Sequence, residues 1–279
     1  MTTANLTVNV DRPGRPGHAA ELTLGYARAG AGAPVLLIHG NFASHLWWKE
    51  QLEEPPEGLL LLAPDLPNFR RSSPLPAGWP TGEWVYAWAD AMAAFLGGLG
   101  VSRAGVVGHS LGGAVAQALA VRHPELVTAL LLVDAAPPFG YVTPEEHYLA
   151  LAAMRTDRRL LHDSLAAVTP TRLPAYFPAL VDDALAMAPA AYEGNSRALA
   201  AYDLGAATTA VTVPVVVLHG AKDALIDAEA AAVTAGAYRD AELITWQDVG
   251  HAPPLEAPAR FRALLAQTFG RGPESGGTA

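Results

Sequence analysis

Two kinds of apolar pattern alternate along the chain. Leu6–Val10 and Leu22–Tyr26 alternate apolar with polar residues, the period-two signature of half-buried strands, and the Pro/Gly-rich stretch Asp11–Gly17 between them predicts a hairpin turn. Pro34–Gly40, Leu59–Ala63, Ala104–Val107, Ala129–Val133 and Val213–Leu218 are continuous apolar runs, as required of strands covered on both faces. Leu243–Trp246 closes the series as an eighth strand. Helical patterns lie between them at Ser44–Leu52, Glu83–Leu99, Leu111–Arg122, Ala228–Tyr238 and Ala257–Phe269. Alternating buried strands and helices predict an α/β fold: a doubly wound, mostly parallel eight-stranded sheet with helices on both faces.

One stretch breaks this rhythm. Residues 138–209 contain no buried-strand run, only helix-compatible pieces interrupted by Pro144, Pro170, Pro174, Pro178 and Pro189. Tyr141, Tyr148, Tyr176, Phe177, Tyr192 and Tyr202 are scattered through it. Seventy or so residues are too many for a bare loop in a compact domain. The reading is an inserted helical cap over 138–209 on a core formed by 1–137 and 210–270. The Gly-, Pro- and Ser-rich residues 271–279 read as a disordered tail.

Composition narrows the function. The chain has 279 residues, 51% of them hydrophobic and 16% charged, enough to bury a large core. Its formal net charge of −9 argues against a nucleic-acid partner and against an anionic membrane surface. The absence of cysteine removes disulfides, thiolate nucleophiles and Cys-ligated metals. Met1–Val10 lacks the basic and apolar regions of a signal peptide, and no apolar run is long enough to span a bilayer, so the expected location is the cytoplasm.

The chemistry centres on Gly108-x-Ser110-x-Gly112, between the run ending at Val107 and the helix starting at Leu111. A strand that turns into a helix within two residues strains its corner residue and needs glycine on either side. The corner then presents a serine hydroxyl at the carboxyl edge of the sheet. Serine alone is a poor nucleophile; it needs a base and a group to orient that base. In a parallel sheet these come from loops after strands. Candidates there are His39, Asn41, Asp65, Asp134, His219, Lys222, Asp223, Asp248 and His251. The order Ser…Asp…His is met by Ser110, Asp223 and His251.

With these motifs in this order, the chain resembles the α/β-hydrolase superfamily. The resemblance rests on His39-Gly40, the stretch Asp65–Ser72, Gly108–Gly113, His219–Asp223 and Gly250-His251. It implies that Ser110 is the nucleophile, His251 the general base, and Asp223 the acid that orients the imidazole. Asp134 is the rival for the acid, and Asp65 is expected to brace a turn. The oxyanion donors implied are the N–H of Leu111 and that of Asn41 or Phe42. His39 is expected to bond within its loop, and His109 to pack. His39-Gly40-Asn41 with Trp47 is also similar to the haloalkane dehalogenase and epoxide hydrolase branch. Those enzymes attack with a carboxylate. A serine would give a stable ether with an alkyl halide, so Ser110 points to acyl chemistry.

Gly30-x-Gly32 lacks the third glycine of a dinucleotide fingerprint and precedes its strand. The nine histidines show no helical ligand spacing, so neither cofactor nor metal is implied. The leading expectation is a serine hydrolase of small, fairly apolar esters or lactones, with a small-molecule partner only. A carbon–carbon bond hydrolase using the same three residues is the alternative. It needs cationic groups for a carboxylated substrate, with Arg155, Arg158, Arg159 and Arg172 as candidates. A cofactor-free perhydrolase, or a non-catalytic ligand-binding protein on this scaffold, are the remaining readings.

Overall fold

The computed structural model describes residues 1–13 and 15–270, and the side chains of all of these but 15 and 16; the expectation for 271–279 lies outside the described residues. Eight strands form one sheet: β1 (Thr2–Arg12), β2 (Arg15–Gly30), β3 (Ala33–Ile38), β4 (Leu59–Pro64), β5 (Ala104–His109), β6 (Val127–Val133), β7 (Val215–Gly220) and β8 (Ala241–Trp246). Their order is β1-β2-β4-β3-β5-β6-β7-β8. The β1–β2 and β2–β4 pairs are antiparallel and every other pair is parallel. The buried runs Val35–Ile38, Ala104–His109 and Leu130–Val133 are the central strands, buried throughout.

The hairpin is longer than its alternation predicts. β1 and β2 stay paired up to Arg12↔Arg15, with a register shift at Asp11/Arg12, so the Asp11–Gly17 turn contracts to its tip. β2 also runs past Tyr26 to Gly30, because its other edge is taken up by β4, with Tyr26 opposite Pro64 and Gly30 opposite Leu60.

The helices are α1 (Lys49–Glu53), α2 (Trp84–Gly98), α3 (Leu111–Arg122), α4 (Tyr148–Ala153), α5 (Arg158–Ala167), α6 (Phe177–Leu185), α7 (Ala191–Ala201), α8 (Ala228–Gly236), α9 (Pro253–Glu256) and α10 (Pro258–Phe269). Two glycines of β5 show the layering. A Cβ on Gly105 would come within 2.3 Å of the Phe269 ring of α10; one on Gly108 would come within 2.6 Å of Ala116 in α3. Positions three apart on a strand face opposite sides, so α3 and α10 cover opposite faces. The predicted Ser44–Leu52 helix begins instead as a 3₁₀ turn, His45–Trp48, capped by the Ser44 hydroxyl, which accepts from the Leu46 N–H. The predicted stiff loop Ala252-Pro253-Pro254 is the start of α9, where proline's missing N–H costs nothing.

Between β6 and β7 the chain forms four helices, α4 to α7, and no strand among the described residues. Ion pairs and hydrogen bonds fasten this segment to the core: Arg70 and the Ser44 hydroxyl meet Asp183 of α6, and Arg172 meets Glu50 at 2.7 Å. Of the described residues, no helix is long and apolar enough to cross a membrane.

Candidate active site

Ser110 sits at the corner between β5 and α3 with φ 54° and ψ −119°, a conformation that L-residues avoid. The glycines around it answer to close approach. A Cβ on Gly108 would lie 2.4 Å from the Gly112 carbonyl oxygen, and one on Gly112 would lie 2.3 Å from that of Ile38. The corner is pinned by the Ser110 N–H donating to Val133 (3.0 Å) and by the Ser110 carbonyl accepting from Gly113 and Ala136. The Ser110 side chain is not used to cap α3, so the hydroxyl is left for chemistry.

Ser110 and His251 line one cavity of about 320 Å³. His251 Nδ1 is 2.6 Å from Asp223 Oδ2, and both side chains are shielded from solvent. That contact fixes the ring so that Nδ1 carries the hydrogen and Nε2 is the basic nitrogen. Asp223 Oδ1 is held in turn by the N–H groups of Leu225 and Ile226, at 2.7 and 3.1 Å. Burial alone would lower the imidazole pKa, but the Asp223 carboxylate overrides it, with Glu256 acting in the same sense, and His251 lies above its ordinary value. Burial would raise Asp223, yet the His251 ring and the two backbone donors hold it below the usual carboxylate range.

Asp134, at the end of β6, does not take Asp223's place on the imidazole. Its Oδ1 accepts from the Gly220 N–H at 2.9 Å and meets His219 Nδ1 at 3.1 Å, while the buried Oδ2 has no donor. Burial first, then the neighbouring Asp223 carboxylate, push Asp134 well above the carboxylate range, toward the neutral acid. Asp134, Asp223 and His251 each place one oxygen or nitrogen within 4.8 Å of the others'. Within this cluster Asp223 and His251 are bonded to each other.

The loop after β3 places the N–H groups of Asn41 and Phe42 in different surroundings. The Phe42 N–H is taken by Asn41 Oδ1 at 3.0 Å, and that oxygen also accepts from Asn195 Nδ2 at 2.7 Å. Among the described residues no protein acceptor takes the N–H of Asn41 or that of Leu111. Leu111 follows Ser110 directly, and Asn41 lines the same cavity as Ser110. Asp65 braces its turn as expected, accepting from the His45 N–H and ring. His39 takes the Leu66 N–H on Nε2 and gives Nδ1–H to the Gly40 carbonyl. Of the cap aromatics, only Tyr141 lines the cavity, its hydroxyl bonded to the Leu225 carbonyl. Tyr148, Phe177, Tyr192 and Tyr202 are buried packing.

The four arginines proposed to receive a carboxylate do not line the cavity, and among the described residues no Lys, Arg, Asp or Glu does. Arg158 pairs with Asp182, Arg159 with Asp163 and Arg172 with Glu50; Arg155 is exposed. Sequence reasoning does not single out Asn195 or Glu256. The former is visible only once the fold brings α7 to Asn41. The latter carries a faint signal, a Glu just inside a proline-started helix, where a side chain can reach back to free N–H groups.

A family model for the alpha/beta hydrolase fold matches residues 33–258, and the chain belongs to that family. It is 30% identical over 278 residues to a 2-hydroxymuconate semialdehyde hydrolase of Pseudomonas sp. (strain CF600), covering 94% of this chain and 95% of that one. It is 35% identical over 251 residues to a pimeloyl-[acyl-carrier protein] methyl ester esterase of Aromatoleum aromaticum, covering 83% and 96%. Among solved structures, an esterase from Rhodococcus sp. superposes with a TM-score of 0.79 at 24% identity, covering 97% of this chain and 99% of that one, a likeness of fold. With relatives of these names and this family, the chain is an enzyme of the hydrolase class.

Proposed function

We infer that the protein is a serine hydrolase of small, uncharged, fairly apolar carboxylic esters or lactones. The observation that carries this reading is one cavity lined by Ser110 and His251 and, among the described residues, by no Lys, Arg, Asp or Glu. Trp47, Leu151, Met154, Leu161, Leu165 and Leu199 give it apolar walls. The helices of 138–209 act as the cap that closes it. A buried apolar wall favours an uncharged acyl or aryl group, and ionised groups entering it would lose hydration without a partner.

The chemistry follows from the geometry. Ser110 Oγ attacks the ester carbonyl carbon while His251 Nε2 takes its proton. The oxyanion that forms lies against the Leu111 and Asn41 N–H groups, a pair of donors each worth about 3 kcal/mol in such sites. The carbon–oxygen bond to the leaving group breaks, and His251 returns the proton to the departing alkoxide. Water then attacks the acyl-serine, giving its proton to His251, and the acid leaves with Ser110 restored. Asp223 stays ionised throughout and stabilises the imidazolium.

The relative that hydrolyses 2-hydroxymuconate semialdehyde favours a second reading, carbon–carbon cleavage by the same three residues. The absence of arginine and lysine from the cavity wall weighs against a carboxylated substrate here. The test is a panel of p-nitrophenyl acetate and butyrate, lactones and carboxylated dienones. Turnover of the first two groups, abolished in Ser110→Ala, supports the esterase reading. Full ester turnover in Ser110→Ala sinks it. Labelling of the wild type by a fluorophosphonate probe, absent in Ser110→Ala, separates catalysis from mere ligand binding.

A further inference from the structure

The Glu256 side chain is buried on α9 and collects donors from two separate parts of the chain. The Gly250 N–H lies 3.0 Å from each of its oxygens, and the Ala252 N–H lies 3.0 Å from Oε1. The Thr171 N–H donates to Oε2 at 3.1 Å, and the Thr171 hydroxyl donates to the same oxygen. Gly250 and Ala252 are the two neighbours of His251. Thr171 belongs to the connector between α5 and α6, inside the inserted helical segment. That connector touches the histidine loop twice more. The Val168 carbonyl accepts from the His251 N–H at 3.2 Å, and a Cβ on Gly250 would come within 2.5 Å of the Pro170 ring.

We propose that Glu256 is a positioning residue for the hydrolysis, its carboxylate being the shared anchor that locks the His251 loop to the cap connector Val168–Thr171. The proposal rests on the reading of Ser110 and His251 as nucleophile and base. A helix cap alone would engage only Ala252, the residue before α9. The bonds to Gly250 and to Thr171 do not serve the helix; they fix both sides of the base and tie it to the cap. Each joins a neutral donor to a carboxylate, the stronger class of hydrogen bond; those to Gly250 and Ala252 are buried and those to Thr171 part-buried. Without the anchor, His251 keeps its own bonds to Val168 and His109, but both of its neighbours lose theirs and Gly250 leaves the loop room to pivot. A base displaced by about 1 Å loses about a hundredfold in rate.

The carboxylate also acts on the base through space. The groups facing His251 are Asp134 and Asp223 from the ends of β6 and β7, His109 from the end of β5, and Glu256 from α9. Glu256 is one of the anions that favour the protonated ring. Removing its charge therefore moves the titration of the base to lower pH, which a lost packing contact would not do.

The test compares Glu256→Gln and Thr171→Val with wild type, using p-nitrophenyl butyrate between about pH 5 and pH 9, with thermal melting alongside. Glu256→Gln is expected to lower kcat by about tenfold or more with KM nearly unchanged, and to move the acid limb of kcat/KM to lower pH. Thr171→Val, which keeps the backbone donor and loses the hydroxyl, is expected to lower kcat to a smaller extent. A Glu256→Gln protein that melts earlier while keeping its kcat and acid limb overturns the proposal. If that variant does not fold, a Thr171→Val protein with wild-type kcat overturns it equally. His251→Ala is the control: loss of activity in it with no effect of Glu256→Gln defeats this proposal alone, whereas full activity in it defeats the reading of the base as well.

Discussion

His109 Nε2 donates a 2.7 Å hydrogen bond to the backbone carbonyl of His251. The residue next to the serine thus holds the main chain of the histidine proposed as its base. The ring is fully buried, lies 4.8 Å from the His251 ring and stacks on Trp47 at 5.3 Å. Burial first, then the His251 charge, lower its pKa to about 3, so it stays neutral and keeps a single donor for that carbonyl. Replacing it by Phe preserves the packing and orphans a buried acceptor. His109→Phe is expected to reduce kcat by about tenfold with KM little changed. Steady-state kinetics on p-nitrophenyl butyrate check this, and an unaltered kcat would show that the bond does not position the base.

The pH profile follows from the raised pKa of His251. In the proposed reaction His251 works only when unprotonated, and its folded-state pKa lies above the ordinary 6.5. The expected kcat/KM therefore declines on the acid side with a midpoint above that value. A midpoint below it contradicts the dominance of Asp223 over burial. The profile is best measured with an ester whose leaving group does not titrate in the same range.

The two aspartates near His251 predict opposite outcomes for the same substitution. Asp223→Asn removes the charge that stabilises the imidazolium, and kcat is expected to fall by about a thousandfold or more. Asp134→Asn imitates a neutral acid: its amide oxygen can still accept from Gly220 and its amide hydrogens can donate to Asp223. Activity is expected to stay within about threefold of wild type, while Asp134→Ala leaves buried donors unpaired and lowers stability by about 2 kcal/mol. Parallel kinetics and urea unfolding check the set. An Asp134→Asn enzyme as inactive as Asp223→Asn would make Asp134 the working acid.

Stability should decline on mild acidification. Burial lowers His39 from 6.5 to about 4 and His109 to about 3, so the unfolded chain binds protons that the native state refuses. Below the unfolded pKa each site costs stability progressively as the pH falls toward the folded value, on the order of 3 to 5 kcal/mol in full. His251, with its pKa raised, works the other way: its contribution is present at low pH and lost as pH rises through its folded value. Two histidines against one leave a net loss between about pH 6.5 and pH 4. Urea midpoints across that range measure it, and a flat profile would refute the buried neutral state of the pair.

Much of this site is legible in the sequence because it is local. The elbow glycines, Ser110, Asp223 and His251 stand at the ends of apolar runs, and a parallel sheet brings those ends to one edge. The sheet itself is legible for the same reason, since β3 to β7 are runs of residues that cannot face water. What escapes is chemistry made across long separations. Glu256 meets Thr171, and Asn41 meets Asn195, only after the inserted helices fold back on the core. Periodicity is blind to such meetings. The extension of β2 to Gly30 escapes too, because it depends on the free edge of β4 rather than on alternation within β2.

The left-handed backbone at Ser110 sets chemistry and folding against each other at a single position. A side chain there costs about 1 to 3 kcal/mol that glycine would not incur. A Ser110→Gly protein, without the hydroxyl proposed as nucleophile, would thus melt at a higher temperature than the wild type. Selection for heat resistance alone would erode the very residue on which the proposed chemistry depends.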